Sequence, residues 1–282
     1  MIKIVVDSTG YIEESFAKET GIEVIPLKIL IGGKEYKEGV ELSTNDFYKL
    51  MKKSDTLPKT SQPSLQDFLS VYKPIIENGD SIISIHISEI VSGTINTARM
   101  AKDALNTDKI KIIDSKSTTF SIRYLAEYAL SIIKKELDFD SVYQSVEKLV
   151  ERLFSRFVLN DIKYLVEGGR LSRAEGLIGN LLNIKPILSF TDGVVKTEGL
   201  IRTWKKAKEA LIKFAEKIKD SAGIEKICVI YGENVDEARE FIKDLRDKIQ
   251  IKVDTLQAGA VIGTYGGPQW FGIGIQTSKQ KA

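Results

Sequence analysis

Hydroxyl and carboxyl side chains gather where several predicted strands end. DSTG at 7–10 follows the first apolar run, SEIVSGT at 88–94 follows a later one, and Asp114-Ser115 follows the next. The loop KTSQPS at 59–64 has the same composition. Ligands of parallel α/β sheets bind outside the carboxyl ends of the strands, so these residues predict a site for an anionic or hydroxylated ligand.

A second interpretation of these residues is local. Serine, threonine and aspartate commonly cap helices and form turns without binding any ligand. Gly93 favours the ligand interpretation because it lets a ligand approach the backbone closely. The helix that starts beside it has unpaired amides that suit a carboxylate or a phosphate.

The sequence lacks the residues that several kinds of catalytic site require. No Gly-rich run ends in Gly-Lys-Ser/Thr, and no helix follows Gly272 and Gly274 in FGIGIQ, so neither a Walker loop nor a dinucleotide fingerprint is indicated. His86 is the only histidine and no cysteine cluster accompanies it, so we expect no metal, no cofactor and a structural role for His86. Asp7 and Asp114 leave open an alternative, an enzyme acting on a small carboxylated or phosphorylated metabolite.

Length and composition indicate a two-domain globular protein. The 282 residues are 43% hydrophobic and 28% charged, with a net charge of +2. This even balance gives no sign of nucleic-acid binding. We expect membrane contact to be transient at most. The chain begins with an apolar strand pattern rather than a signal peptide, so we expect a cytoplasmic protein. Cys228, the single cysteine, is expected to be core packing.

Strand-like and helix-like segments alternate in the first half of the chain. Short apolar runs at 2–6, 81–87 and 109–113 lie between amphipathic helices, which predicts a parallel sheet covered on both faces. We therefore predict a three-layer α/β/α domain over residues 1–155. A polar loop is expected at 54–63.

Two helix starts in this first half are well marked. Ser43 with Asp46, and Ser64 with Asp67, each place a capping hydroxyl three residues before an acidic side chain. We therefore expect one helix to begin after Ser43 and another to begin after Ser64.

The pattern changes near residue 156. Strands with a hairpin signal at Asp192-Gly193 are interleaved with two amphipathic helices near 204–219 and 235–247, and FGIGIQ is expected to be the closing strand. This pattern predicts a two-layer α/β domain with a mixed sheet over residues 156–282. A long helical stretch at 119–155 is expected to bridge the two domains.

Eight ordered motifs span nearly the whole chain: VDST (6–9), TSQPS (60–64), VSGTINTA (91–98), IIDS (112–115), GGRLS (168–172), NLLNIKPIL (180–188), GLIRTWKKA (199–207) and IGTYGGP (262–268). Together they resemble the DegV family of bacterial fatty-acid-binding proteins. The resemblance implies a two-domain fold that holds one long-chain fatty acid, such as palmitate, between the domains. It also implies a carrier without catalytic activity of its own, which presents the acid to a fatty-acid kinase that forms an acyl phosphate.

The resemblance also implies a head-group site. The hydroxyls that match Thr60 and Ser92 would bind the carboxylate, and the remaining predicted ligand-binding residues are Ser61, Gly93, Thr94, Tyr265 and Arg202. Tyr265 stands where the family usually carries a histidine; its phenol can donate a hydrogen bond but is neutral at pH 7. Arg170 and Arg202 lie in family motifs and would contact the kinase or the new phosphate, or have only a surface role.

An apolar tunnel is needed for the acyl tail. Burying about 14 methylenes at roughly 0.8 kcal/mol each gives on the order of 11 kcal/mol of driving force. Candidate tunnel segments are Ile29–Ile31, Leu177–Leu182, Ile187 and Trp270–Ile275, each of which could equally be ordinary core. A third hypothesis is a regulatory interaction protein whose bound lipid is only structural.

Overall fold

A four-stranded parallel sheet is the centre of the first half of the molecule. The computed structural model describes residues 1–135, 138–171 and 184–279. The sheet has the order β2-β1-β6-β7 and all of its strand pairs are parallel. Its strands are β1 (Ile2–Asp7), β2 (Glu23–Ile25), β6 (Ser81–His86) and β7 (Ile110–Asp114). The helices of this half are α1 (Glu14–Thr20), α2 (Thr44–Lys53), α3 (Leu65–Glu77), α4 (Thr94–Leu105), α5 (Phe120–Ile133) and α6 (Phe139–Leu149).

Helices cover both faces of this sheet. Ile4 and Ile83 pack against α5 and α6, whereas their neighbours Val5 and Ile82 pack against α3 and α4. Successive strand residues point to opposite faces, so strands buried on both sides must be apolar throughout. The three-layer α/β/α prediction is confirmed.

Local capping sets the start of two helices. The Ser43 side chain accepts from the backbone of Asp46, and Ser64 forms a complete capping box with Asp67. Each cap satisfies an amide that the first helical turn leaves unpaired. Both predicted helix starts are confirmed.

A second, three-stranded antiparallel sheet was not expected from the sequence. Its order is β4-β3-β5, with strands β3 (Lys28–Ile31), β4 (Lys34–Lys37) and β5 (Lys59–Ser61). The apolar run at 22–31 divides between two sheets at Pro26, which has no amide hydrogen to continue a ladder. The predicted polar loop at 54–63 contains β5, where Thr60 pairs with Ile29.

The second half is built on a mixed six-stranded sheet of order β10-β9-β8-β13-β11-β12. Its strands are β8 (Leu153–Leu159), β9 (Lys185–Thr191), β10 (Val194–Ile201), β11 (Ile224–Tyr231), β12 (Val253–Gln257) and β13 (Trp270–Thr277). The helices are α7 (Lys163–Glu167), α8 (Trp204–Ala222), α9 (Val235–Ile249) and α10 (Ala260–Gly266). We call the chain before β8 the first lobe and the chain from β8 onward the second lobe.

One face of the six-stranded sheet is covered by α8 and α9, as predicted for a two-layer domain. Leu211 and Phe241 on these helices pack on Val229 and Phe271 of the sheet. The closing strand predicted from FGIGIQ is β13, and Cys228 is buried in the sheet. The domain boundary predicted between residues 155 and 156 falls within β8, and it stays a prediction.

The other face of the six-stranded sheet meets α5. Leu125 and Ala129 of this helix pack into the core of the first lobe, whereas Phe120 and Tyr124 pack with strands of the second lobe. The Tyr124 hydroxyl also donates to Asp254 on β12 at 3.0 Å. The helical stretch predicted over 119–155 contains two helices, α5 and α6, and α5 lies between the two sheets.

No helix in the described part of the chain is long and apolar enough to cross a lipid bilayer. The predicted tunnel segment Leu177–Leu182 and parts of the GGRLS and NLLNIKPIL motifs lie outside the described residues.

Gly274 on β13 allows α5 to approach the six-stranded sheet closely. A Cβ atom at this position would overlap the ring of Phe120. We expect Gly274→Ala to lower the free energy of unfolding by about 1–3 kcal/mol because the lobes would have to separate or repack. Chemical denaturation measures this change.

Gly199 on β10 is a matched control in the same sheet. A Cβ there meets only the tip of Ile187, at 3.9 Å. Gly199→Ala is expected to change stability by less than about 0.5 kcal/mol. Equal effects of the two substitutions would contradict the close packing of α5 on β13.

Candidate functional site

A cavity lies between the two lobes and is mainly apolar. It contains about 870 Å³ of empty space, including its open mouth. Apolar side chains from both lobes line it, among them Leu27, Ile87, Phe120, Phe157, Phe190 and Trp270. A mainly apolar lining with a few polar side chains is typical of a site for a small organic ligand.

Polar side chains cluster at one part of the cavity wall. Thr60 and Tyr265 line the cavity, and their hydroxyls are hydrogen bonded at 2.6 Å. The guanidinium of Arg170 lies over the Tyr265 ring at 4.6 Å, and its Nε donates to the carbonyl of Val91 at 3.2 Å. Ser92, the next residue, also lines the cavity. These contacts place hydroxyls and one cation around the same part of the wall.

Three different elements bring these residues together. Thr60 lies on β5, at the edge of the small antiparallel sheet. Ser92 lies in the loop that joins β6 to α4. Tyr265 lies on α10, which connects β12 to β13 and packs against α2 and the small sheet. The hydroxyl cluster therefore exists only when the two lobes are together.

Arginines give the cavity a positive electrostatic character. Among the described residues that line it, the charged side chains are Arg156 and Arg170. Arg156 forms an ion pair with Glu198 at 2.9 Å, whereas Arg170 donates to the carbonyls of Val91 and Gly168. A guanidinium has five N–H donors, so Arg170 keeps donors for an anionic ligand.

Four of the predicted ligand-binding residues do not line the cavity. Ser61 and Arg202 are exposed, the latter between β10 and α8. The hydroxyl of Thr94 lies 2.9 Å from that of Ser92 and is buried. Gly93 does not provide access for a ligand, because a Cβ there would overlap the side-chain amide of Gln62. Its lack of a side chain makes room for Gln62.

A run of hydroxyls after β7 was overlooked in the sequence. Ser117, Thr118 and Thr119 all line the cavity, although only Asp114-Ser115 was singled out at this strand end. Thr119 has φ 54° and ψ −114°, an unusual conformation for a β-branched residue. The sequence signal was present, since four of the five residues 115–119 carry a hydroxyl.

The predicted tunnel segments divide between the cavity and the core. Trp270, Gly272 and Ile273 line the cavity. Ile29 and Ile187 belong instead to buried hydrophobic clusters of the two lobes.

Asp7, His86 and Ser84 form a buried hydrogen-bonded chain that resembles a catalytic triad. His86 Nδ1 lies 3.2 Å from Asp7 Oδ2, and His86 Nε2 lies 2.7 Å from Ser84 Oγ. All three are 0% exposed, none lines the cavity, and the hydroxyl of Tyr72 donates to Ser84. A nucleophile must reach its substrate, so this chain fits the structural role predicted for His86.

The two carboxyls named for the enzyme alternative lie away from the cavity. Neither Asp7 nor Asp114 lines it. Burial raises the pKa of the Asp114 carboxyl, but its side chain accepts from the amide of Lys116 in a turn. In the described ranges, no group of three or more His, Cys, Asp or Glu is arranged to hold a metal ion.

The fold and the cavity define a two-domain α/β protein with a mainly apolar cavity between its lobes. The chain belongs to the DegV family: a family model described as an uncharacterised protein of the DegV family matches residues 1–278.

Three solved structures share the whole fold. DegV from Bacillus subtilis, described as a fatty acid binding protein, is 31% identical with a TM-score of 0.88, covering 98% of this chain and 99% of that one. A fatty acid binding DegV family protein from Streptococcus agalactiae is 27% identical with a TM-score of 0.91, covering 99% of both chains. A stearic acid-binding protein from Eubacterium ventriosum is 25% identical with a TM-score of 0.88, covering 98% of both.

The hydrogen bond between Thr60 and Tyr265 joins the two lobes. We expect Tyr265→Phe and Thr60→Val each to lower the free energy of unfolding by about 1 kcal/mol, the usual net contribution of such a bond. The double variant should lose little more than either single variant, because both remove the same interaction. Urea unfolding measures all three, and fully additive losses would contradict the bond.

Proposed function

We propose that this protein binds one long-chain fatty acid in the cavity between its lobes. The acyl chain lies along the apolar wall, and the carboxylate lies at the cluster of Thr60, Ser92, Tyr265 and Arg170. The observation that carries this proposal is a mainly apolar cavity in which Thr60, Tyr265 and Arg170 contact one another at one part of the wall. Relatives of the same fold that bind fatty acids support it.

The energetics favour such a ligand. About 14 buried methylenes supply on the order of 11 kcal/mol, part of which is lost in ordering a flexible chain. A carboxylate buried without partners would cost several kcal/mol, so its donors decide whether the acid can bind. The hydroxyls of Thr60 and Tyr265, which bond to each other, would turn toward the ligand oxygens.

The resemblance to the DegV family implies a histidine at the position of Tyr265, so Tyr265 would give this chain a different head-group site. A phenol donates one hydrogen bond and carries no charge at neutral pH. Arg170 stacks on the Tyr265 ring and therefore supplies the positive charge that this side chain lacks. Hydroxyls and one cation together would bind the carboxylate without a metal ion.

We further propose that the protein is a cytoplasmic carrier that presents the bound carboxylate to a fatty-acid kinase for acyl phosphate formation. The resemblance of its motifs to fatty-acid carriers supports this step, as does the absence of a carboxylate acid or base from the described cavity lining. Arg202, exposed between β10 and α8, is available for contact with such a kinase.

The head-group assignment predicts that Thr60→Ala and Ser92→Ala each weaken palmitate binding by roughly tenfold or more, the effect of losing a hydrogen bond to a charged group. Titration calorimetry or displacement of a fluorescent fatty acid measures the affinity. Ser61→Ala is the matched control, since Ser61 adjoins Thr60 on β5 but does not line the cavity. Unchanged affinity in both site variants would place the carboxylate elsewhere.

The carrier proposal predicts a bound lipid and its phosphorylation. Extraction of the purified protein with organic solvent should yield about one fatty acid per chain by mass spectrometry, as expected of a site that buries a whole acyl chain. Addition of the cognate kinase and ATP should then convert the bound acid to an acyl phosphate. A bound acid that the kinase leaves unchanged would favour the regulatory protein with a structural lipid, and no bound acid would contradict the proposal.

A further inference from the structure

Glu38 is a buried carboxyl at the junction of the two lobes. It follows β4 in the first lobe and is 5% exposed. Its Oε2 accepts from the hydroxyl of Ser8 at 2.6 Å, and its Oε1 accepts from the hydroxyl of Tyr11 at 3.3 Å. These bonds fix the carboxyl within the first lobe.

The same carboxyl binds the start of α10 in the second lobe. The amide of Val261 donates to Glu38 Oε1 at 2.7 Å, and the amide of Ile262 donates to the hydroxyl of Tyr11 at 3.3 Å. Gly259, the residue that precedes α10, has no side chain to cap it. A Cβ on Gly259 would press on the Tyr11 ring and on Glu38. The first lobe therefore supplies the cap that α10 lacks.

Helix α10 carries the residue that completes the polar cluster. Val261, Ile262 and Tyr265 line the cavity, so the first turn of α10 and the phenol one turn later belong to the same wall. Val261 and Tyr265 are four residues apart and therefore lie on the same side of this short helix.

We propose that Glu38 is a positioning residue for the head-group site: it holds the first turn of α10 from the opposite lobe and thereby sets Tyr265 against Thr60. This inference rests on the proposed fatty-acid binding. Glu38 does not line the cavity and would not touch the ligand.

The surroundings of Glu38 make its contact with α10 sensitive to pH. The titratable side chains that face it are Asp7 at the end of β1, Tyr11, and Tyr48 on α2, whereas α10 contributes backbone amides. In the part of the chain that the structure describes, no lysine or arginine forms an ion pair with Glu38. Burial, with a smaller contribution from Asp7, raises the pKa of Glu38 from 4.5 to about 7.

The direction of the pH effect follows from this raised pKa. The closed junction binds a proton on Glu38 more readily than an open, hydrated junction would. The closed contact between the two lobes is therefore most stable below pH 4.5. It loses this stabilisation as the pH rises through 7. Release of the ligand should therefore accelerate between pH 6 and pH 8.

The test measures release of palmitate from the full-length protein and amide hydrogen exchange of α10 in the unliganded protein. Glu38→Ala should release palmitate about tenfold faster, since it removes the acceptor of the Val261 amide, and should speed exchange in α10. Glu38→Gln keeps an acceptor for Val261 but cannot ionise, so it should hold α10 and release palmitate at one rate from pH 6 to pH 8. In a Tyr265→Phe background, Glu38→Ala should have a smaller effect.

Lys52→Ala is the control. Lys52 pairs with Glu233 across the lobes at 2.6 Å, and neither residue belongs to α10, so loss of this pair should leave both release and exchange unchanged.

The possible outcomes test the role of Glu38 separately from fatty-acid binding. A Glu38→Ala variant that folds, releases palmitate at the wild-type rate and leaves exchange in α10 unchanged would overturn the proposal. So would a Glu38→Gln variant with the wild-type pH profile. If the wild-type protein binds no palmitate, the fatty-acid proposal fails, and the exchange of α10 in Glu38→Ala still decides whether Glu38 holds this helix.

Discussion

Helix α5 is buried on both sides, and the distance between the two sheets depends on it. One side of the helix packs into the parallel sheet of the first lobe, and Phe120 and Tyr124 on the other side pack against the six-stranded sheet. Phe120 occupies the space left by the missing side chain of Gly274. Because a helix of fixed diameter separates the sheets, they cannot collapse onto each other, and the space beside the helix remains as the cavity.

The polar residues of the cavity depend on the same arrangement. Thr60 reaches the cavity from the edge of the small sheet, and Tyr265 reaches it from α10. Their hydroxyls bond to each other, while Arg170 stacks on the Tyr265 ring. Buried hydroxyls need partners, so in the proposed function a ligand carboxylate would replace a bond that the protein now makes within itself. Glu38 supports this cluster, because its carboxyl accepts from the amide of Val261 in the first turn of α10.

Local patterns were sufficient for most of the fold. The parallel sheet, the capped helices after Ser43 and Ser64, and the mixed sheet of the second lobe were all predicted, because apolar periodicity and capping act over a few residues. Patterns failed where a local signal had two meanings. Gly93 suggested ligand access, although its missing side chain makes room for Gln62.

The sequence by itself determined the layers, the hydroxyl-rich strand ends and the residue types of the candidate site, since each is encoded by residues close together in the chain. Only the tertiary structure decided which of these residues meet. Thr60 and Tyr265 are separated by 205 positions, and Glu38 and Val261 by 223. Such contacts are set by the order of strands in the sheets and by the packing of α5 and α10 between them, and no short-range pattern specifies that order.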